Sequence, residues 1–122
     1  MNLDLENAMA MTPEAKVKKK VTTILKELNA YYFYPVTGGY GKSGVPDIIG
    51  CYKGLFFGIE CKAGKNKPTP LQQKNLNDIK LNGGIALVIN ETNIDDVLTE
   101  IGGRVINPDQ LEINFEELVH GI

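Results

Sequence analysis

Asp47, Glu60 and Lys62 are two carboxylates and an amine carried by one stretch, V-P-D-I-I-G-C-Y-K-G-L-F-F-G-I-E-C-K from Val45 to Lys62. Apolar runs from Ile48 to Tyr52 and from Leu55 to Cys61 flank Lys53-Gly54, which reads as the two-residue turn of an antiparallel hairpin. In that register Asp47 faces Glu60. Directly opposed side chains have Cβ atoms about 5 Å apart, where like charges are destabilising; a bound cation would reverse the sign. Side chains alternate along a strand, so Lys62 falls on the face of Glu60 while Cys61 points the other way. A bulge at the turn would shift the register by one residue and undo the pairing. Two acids and an amine at one end of a buried hairpin suggest phosphodiester chemistry. The bland alternative is a structural ion cluster, which leaves one buried acid in excess at a cost of several kcal/mol.

The elements that must position these groups follow from periodicity and caps. Thr12-Pro13 reads as an N-cap followed by proline at the first helical position. Val17, Val21, Ile24, Leu25 and Leu28 then recur at helical spacing, predicting a helix from about Pro13 to Asn29. Glu14 lies on the inward-looking side of that helix start by its spacing from Val17 and Val21. Spacing alone leaves it equally a first-turn acid that complements the helix dipole. Tyr31 to Val36 is aromatic and extended in character, and leads into the loop T-G-G-Y-G-K-S-G. The hairpin strands are apolar on both faces, Ile48, Tyr52, Phe57 and Ile59 on one and Ile49, Cys51 and Phe56 on the other. They are therefore expected at the centre of a sheet with helices covering both sides.

Thr69-Pro70 repeats the cap signal, and Leu71, Leu76 and Ile79 mark a second helix ending near Gly83-Gly84. Ile85 to Ile89 is a short apolar run that reads as a buried strand. Asn93 is expected to cap a short helix running through Ile101 and stopped by Gly102-Gly103. Val105-Ile106 reads as another short strand, and Asn114 with Glu117 as the capping box of a terminal helix carrying Phe115, Leu118 and Val119. The order α-β-β-β-α-β-α indicates a three-layer α/β domain.

The 122 residues are expected to form one compact domain, with 43% hydrophobic and 23% charged residues as in an ordinary globular protein. The acid-containing start does not read as a signal peptide, and no apolar run approaches the ~20 residues needed to span a bilayer, so an intracellular, cytoplasmic protein with no membrane partner is expected. Cys51 and Cys61 lack metal-ligand spacing and read as reduced, buried hydrophobes. The net charge of -2 is unevenly placed: residues 1–82 hold twelve lysines against seven acids, and residues 83–122 one arginine against eight acids. The basic part carries the hairpin, as a phosphate-binding face requires, although solvated lysines are common.

The chain resembles the PD-(D/E)XK nuclease superfamily, and within it the virus-type replication-repair nuclease (VRR-NUC) family. The carriers are G-V-P-D (Gly44 to Asp47), I-E-C-K (Ile59 to Lys62), P-T-P-L-Q (Pro68 to Gln72) and the helix acid Glu14. The resemblance runs from the first helix to the strand ending near Ile89. It implies a restriction-endonuclease-like core, a central mixed sheet with the catalytic hairpin flanked by helices. It implies Asp47 and Glu60 as ligands of Mg2+, with Mn2+ able to substitute, the Cys61 carbonyl as a further ligand and Glu14 as an outer or direct contact. Hard oxygen ligands suit Mg2+, which commonly binds through one or two carboxylates plus water and phosphate. Lys62 is the expected orienter of the attacking water, and Gln72 resembles the family's glutamine near that water or a phosphate. Thr69-x-x-Gln72 is also a capping box, and both roles stand together because helix starts attract phosphate. Stand-alone relatives imply a phage-encoded homodimer, acting in the infected bacterium on branched DNA such as four-way junctions and leaving a 5'-phosphate.

Gly39 to Ser43, G-Y-G-K-S, is similar to part of a phosphate-binding P-loop, but Val36 stands where that motif needs glycine. The loop reads better as a DNA contact through Tyr40, Lys42 and Ser43, extended by Lys16, Lys19, Lys20, Lys65 and Lys67. His120 is the only histidine and lies far from the motifs, which disfavours a histidine-based nuclease or a zinc site. The competing readings are a catalytically silent DNA-binding module and a nuclease preferring linear, flapped or free-end DNA.

Overall fold

The computed structural model describes residues 11–36 and 41–105. Helix α1 spans Pro13–Glu27, and Thr12 caps it by accepting a hydrogen bond from the Ala15 N–H at 3.1 Å, a contact worth about 1 kcal/mol. Strand β1 is Tyr31–Phe33, β2 Ile48–Tyr52 and β3 Leu55–Cys61, followed by α2 over Pro70–Leu81, β4 over Ile85–Ile89 and the short α3 over Asp96–Glu100. The strands form one sheet in the order β1-β2-β3-β4, with β1-β2 and β2-β3 antiparallel and β3-β4 parallel. It is a mixed sheet flanked by helices, as expected. Among the described residues no helix is long and apolar enough to cross a membrane.

The register is the one read from the hairpin. Ile48 pairs with Ile59, Gly50 with Phe57 and Tyr52 with Leu55. Both turn residues take positive φ, 49° at Lys53 and 83° at Gly54, the conformation that matches the twist of a tight hairpin. Phe57, Ile59 and Cys61 point to one side and form the core with Val17, Val21 and Leu25 of α1 and with Val97 and Ile101. Burying each large apolar side chain contributes roughly 1.5–3 kcal/mol. On the other side α2 lies over β3 and β4, and Gly58 lets Ile79 and Pro46 come close to the sheet.

Several local expectations are corrected. Helix cover on the α2 side does not extend over β1 and β2, so Cys51 is exposed rather than buried, beside exposed Phe56 and Tyr31. Helix α1 ends before Asn29, whose φ of 59° turns the chain into β1. Asn93 does not cap α3. Its Oδ1 accepts from the Asn90 N–H at 2.8 Å and its Nδ2 donates to the Val88 carbonyl at 3.0 Å, tying off β4. The N-cap of α3 is Asp95, without a side-chain cap bond. Gly102–Val105 is a 3-10 turn, so the helical path does not stop at the glycines and Val105 is not in a strand. Ile106, the Asn114–Glu117 capping box and His120 lie outside the described residues, as does Tyr40.

Gly50 is a packing glycine. A Cβ there would collide with the Tyr31 carbonyl oxygen and the Phe57 ring, whereas one on Gly103 would meet open space. Gly50→Ala is expected to destabilise the fold by about 1–3 kcal/mol, the range for overpacking, with Gly103→Ala near neutral. Urea unfolding of the two variants checks this, and equal midpoints would contradict the packing.

Candidate active site

Asp47 is delivered to the end of the hairpin by a stapled loop. Gly44, at φ 74°, packs so close that a side chain would meet Leu71 Cγ at 2.7 Å. Asn75, 5% exposed, donates from Nδ2 to the Ser43 carbonyl at 3.2 Å and to the Leu71 carbonyl at 2.9 Å. Pro46 is buried next, and proline holds the residue before it extended. Asp47 therefore arrives one residue before β2, and its Oδ2 accepts the Cys61 N–H at 2.9 Å.

Glu60 lies against it. The β2-β3 register carried one step past Ile48 and Ile59 sets Asp47 opposite Glu60, and the two carboxyls are in contact. Glu60 is 1% exposed, and its Oε2 has no hydrogen-bond partner. Burial, followed by the contact with Asp47 and its charge, pushes the Glu60 carboxyl up from 4.5 to about 8, against the pull of Lys62. An orphaned buried carboxylate oxygen beside a second carboxylate suits a divalent cation, because added positive charge favours ionisation of both acids near neutral pH.

Lys62 is set by β4, where its N–H donates to the Ile89 carbonyl at 2.9 Å. Its ammonium stands 3.9 Å from Glu14 Oε1, and the side chain is largely shielded at 13% exposure. Glu14 thus reaches the site from the first turn of α1, paired with the lysine. Burial, then the charge of Asp47, pushes the Cys61 thiol up to about 12. The Cys61 side chain packs in the core on the opposite face of β3 from Glu60, so Cys61 offers a cation near the acids only its carbonyl oxygen. Among the described residues no three His, Cys, Asp or Glu side chains form a ready ligand set. An ion held by Asp47 and Glu60 would complete its shell from backbone, water and phosphate oxygens.

Gln72 is fixed at the start of α2 by a reciprocal capping box. Its Oε1 accepts the Thr69 N–H at 2.9 Å, and its own N–H donates to Thr69 Oγ1 at 3.2 Å. Lys16, Lys19 and Lys20 are exposed along α1, and Lys65 and Lys67 are exposed on the loop after β3. That loop is clipped down by Glu91, whose carboxylate accepts the Gly64 N–H at 2.9 Å and 3.2 Å. Its own backbone N–H, and next the Gly64 N–H, hold the Glu91 carboxyl below its ordinary value. Ser43 is an exposed residue of the stapled loop itself. Lys42 instead lines a groove of about 260 Å³ with Phe56, Asp78, Ile79 and Asn82, at the other end of β3 from Glu60.

Two residues of the site escaped the sequence reading. Lys18 brings its ammonium to 4.0 Å from Asp47 Oδ1; its signal was the i,i+4 spacing from Glu14. Asn75 anchors the loop before Asp47, and its signal was a polar residue on the stripe of Leu71 and Ile79.

The sequence matches no protein-family model and no curated protein. Solved structures share the fold. One described as a "VRR_NUC domain" superposes with a TM-score of 0.60 at 22% identity, covering 74% of this chain and 97% of its own. A second, a "VRR_NUC domain protein", gives 0.59 at 22% identity over 77% of this chain and 88% of its own. The chain has the fold of these domains.

Between about pH 4.5 and 8, folded Glu60 keeps a proton that the unfolded chain releases. The folded state therefore binds more protons in that window, and without metal its stability falls as pH rises through it. Glu60→Gln is expected to flatten this decline, measured by urea unfolding in EDTA at pH 5, 6.5 and 8. An unchanged pH slope in the variant would contradict the buried, proton-holding Glu60.

Proposed function

We propose that this chain is a metal-dependent DNA endonuclease of the VRR-NUC family, using Mg2+ with Mn2+ able to substitute. The observation that carries the reading is Glu60, buried with an unpartnered oxygen against Asp47, with the Lys62 ammonium on the same strand end. A structural ion cluster does not account for an orphaned carboxylate oxygen, because buried polar atoms are normally paired. The fold shared with VRR_NUC domains supports the same reading.

In this reading Asp47, Glu60 and the Cys61 carbonyl hold the ion, with Glu14 beside them. When bound, the ion supplies a Lewis acid for the scissile phosphate and makes water acidic enough to attack near neutral pH. Lys62 orients that water and offsets negative charge gathering on the phosphate in the transition state. Gln72 keeps its side-chain amide N–H groups available after capping α2, so the helix start offers donors to a phosphate oxygen. The lysines of α1 and of the Gly64 loop extend the contact along the backbone. Branched DNA such as a four-way junction is the proposed substrate, met by a homodimer whose two sites face a symmetric junction. The proposed setting is the cytoplasm of a phage-infected bacterium.

The test is incubation of the protein and its Lys62→Ala variant with end-labelled linear, flap and four-way-junction DNA in Mg2+, Mn2+ or EDTA. Cutting is expected with either metal and not in EDTA, fastest on the junction, and at least about 100-fold slower in the variant, as for loss of one transition-state donor. Binding without cutting under every metal would replace the nuclease by a silent DNA-binding module.

A further inference from the structure

We propose that Lys18 binds substrate in the same site, holding the phosphate next to the scissile one, and that Tyr34 positions its ammonium. The inference rests on the nuclease reading and deepens it by naming a phosphate subsite.

Lys18 lies one turn beyond Glu14 on α1, among lysines that point into solvent, yet it turns toward the acid pair. Its side chain is 37% exposed, with Nζ 4.0 Å from Asp47 Oδ1 and 5.5 Å from the centroid of the Tyr34 ring. Tyr34 is supported in turn by Tyr32, edge-on at 6.2 Å and 72°, and Tyr32 packs against the hydrophobic core. The ammonium thus lies between a half-exposed ring that leans on Tyr32 and a carboxylate fixed to the hairpin.

Neither anchor uses up its hydrogen-bonding capacity. At 4.0 Å the approach to Asp47 is a loose ion pair, longer than a charge-assisted hydrogen bond. The other oxygen of Asp47 is already occupied by the Cys61 N–H. An aromatic face attracts the cation through its quadrupole and accepts no strong hydrogen bond. The three N–H donors of Lys18 therefore remain available to an incoming anion.

Charge gives the second argument. Glu14, Asp47 and Glu60 face Lys18 and Lys62, so with all of them ionised the cleft carries one excess negative charge. A divalent cation turns that into one excess positive charge, the complement of a single phosphodiester. Without Lys18 the loaded cleft would be neutral and would have no net attraction for the strand.

The hairpin contains its own control. Lys53 also sits over a tyrosine ring, 5.7 Å from the centroid of Tyr52, but at the turn, the end of the hairpin away from the acids. Binding of a short fluorescent DNA is measured by anisotropy across a salt series with Ca2+ loading the carboxylates, a divalent cation of the same oxygen preference, and gel electrophoresis checks that the DNA stays uncut. Wild type, Lys18→Ala, Lys18→Arg, Lys53→Ala, Tyr34→Ala and Tyr34→Phe are compared, with folding checked by circular dichroism. Losing one phosphate contact is expected to reduce the log–log salt slope of Lys18→Ala by about 0.9. Wild-type affinity then falls about 3.5-fold more than the variant's between 50 and 200 mM salt. Lys18→Arg, Lys53→Ala and Tyr34→Phe are expected to keep the wild-type slope, whereas Tyr34→Ala shifts toward Lys18→Ala. Should Lys18→Ala fail to fold, Lys18→Gln takes its place.

An unchanged slope in Lys18→Ala, with wild type still cutting DNA in Mg2+, would overturn the Lys18 subsite and leave the nuclease reading standing. A wild-type protein that neither binds nor cuts DNA would overturn both.

Discussion

Two carboxylates pressed together at the mouth of a hydrophobic sheet form the constraint around which this molecule is arranged. Asp47 and Glu60 meet because two strands of a tight hairpin have one allowed register, and Glu60 is buried because β3 runs through the middle of the sheet. Like charges so placed repel, and burial deepens the penalty. A protein can retain such a pair by keeping a proton on one acid or by receiving positive charge. The strongly raised Glu60 carboxyl is the first solution, and the free Oε2 leaves the second open.

The surroundings hold the conflict in place without cancelling it. The Cys61 N–H fixes one oxygen of Asp47, and Asn75 staples the preceding loop to α2. Glu14 approaches Lys62 and Lys18 approaches Asp47, each near the outer limit of an ion pair at 3.9 and 4.0 Å. Tight salt bridges would have satisfied the acids and ended any affinity for a cation or a phosphate. Loose ones keep charge near the site and leave it exchangeable.

The hairpin was legible because its signals agree: two apolar runs, a two-residue turn ending in glycine, and a side-chain period of two that fixes every facing pair once one pair is known. The Thr-Pro caps of α1 and α2 were equally readable, since cap chemistry is local. What the sequence hid was tertiary. Cys51 looked buried because its strand is apolar on both faces, but how far α2 reaches across the sheet is not written in β2. Asn93 carries a cap residue's chemistry and uses it to close the turn after β4 instead. Lys18 stands in a run of lysines that composition cannot distinguish. Only the distance between α1 and the hairpin end selects it, and Tyr34 follows β1, whose pairing with β2 sets where the ring lies.

The Asp47–Glu60 pair is proposed to take up a divalent cation. Calorimetric titration of Mg2+ into the full chain at pH 7, in two buffers of different ionisation heat, tests it most directly. Because the Glu60 carboxyl is pushed up to about 8, cation binding is predicted to expel most of one proton per site. Absence of binding heat, or binding with no proton released, would contradict the account.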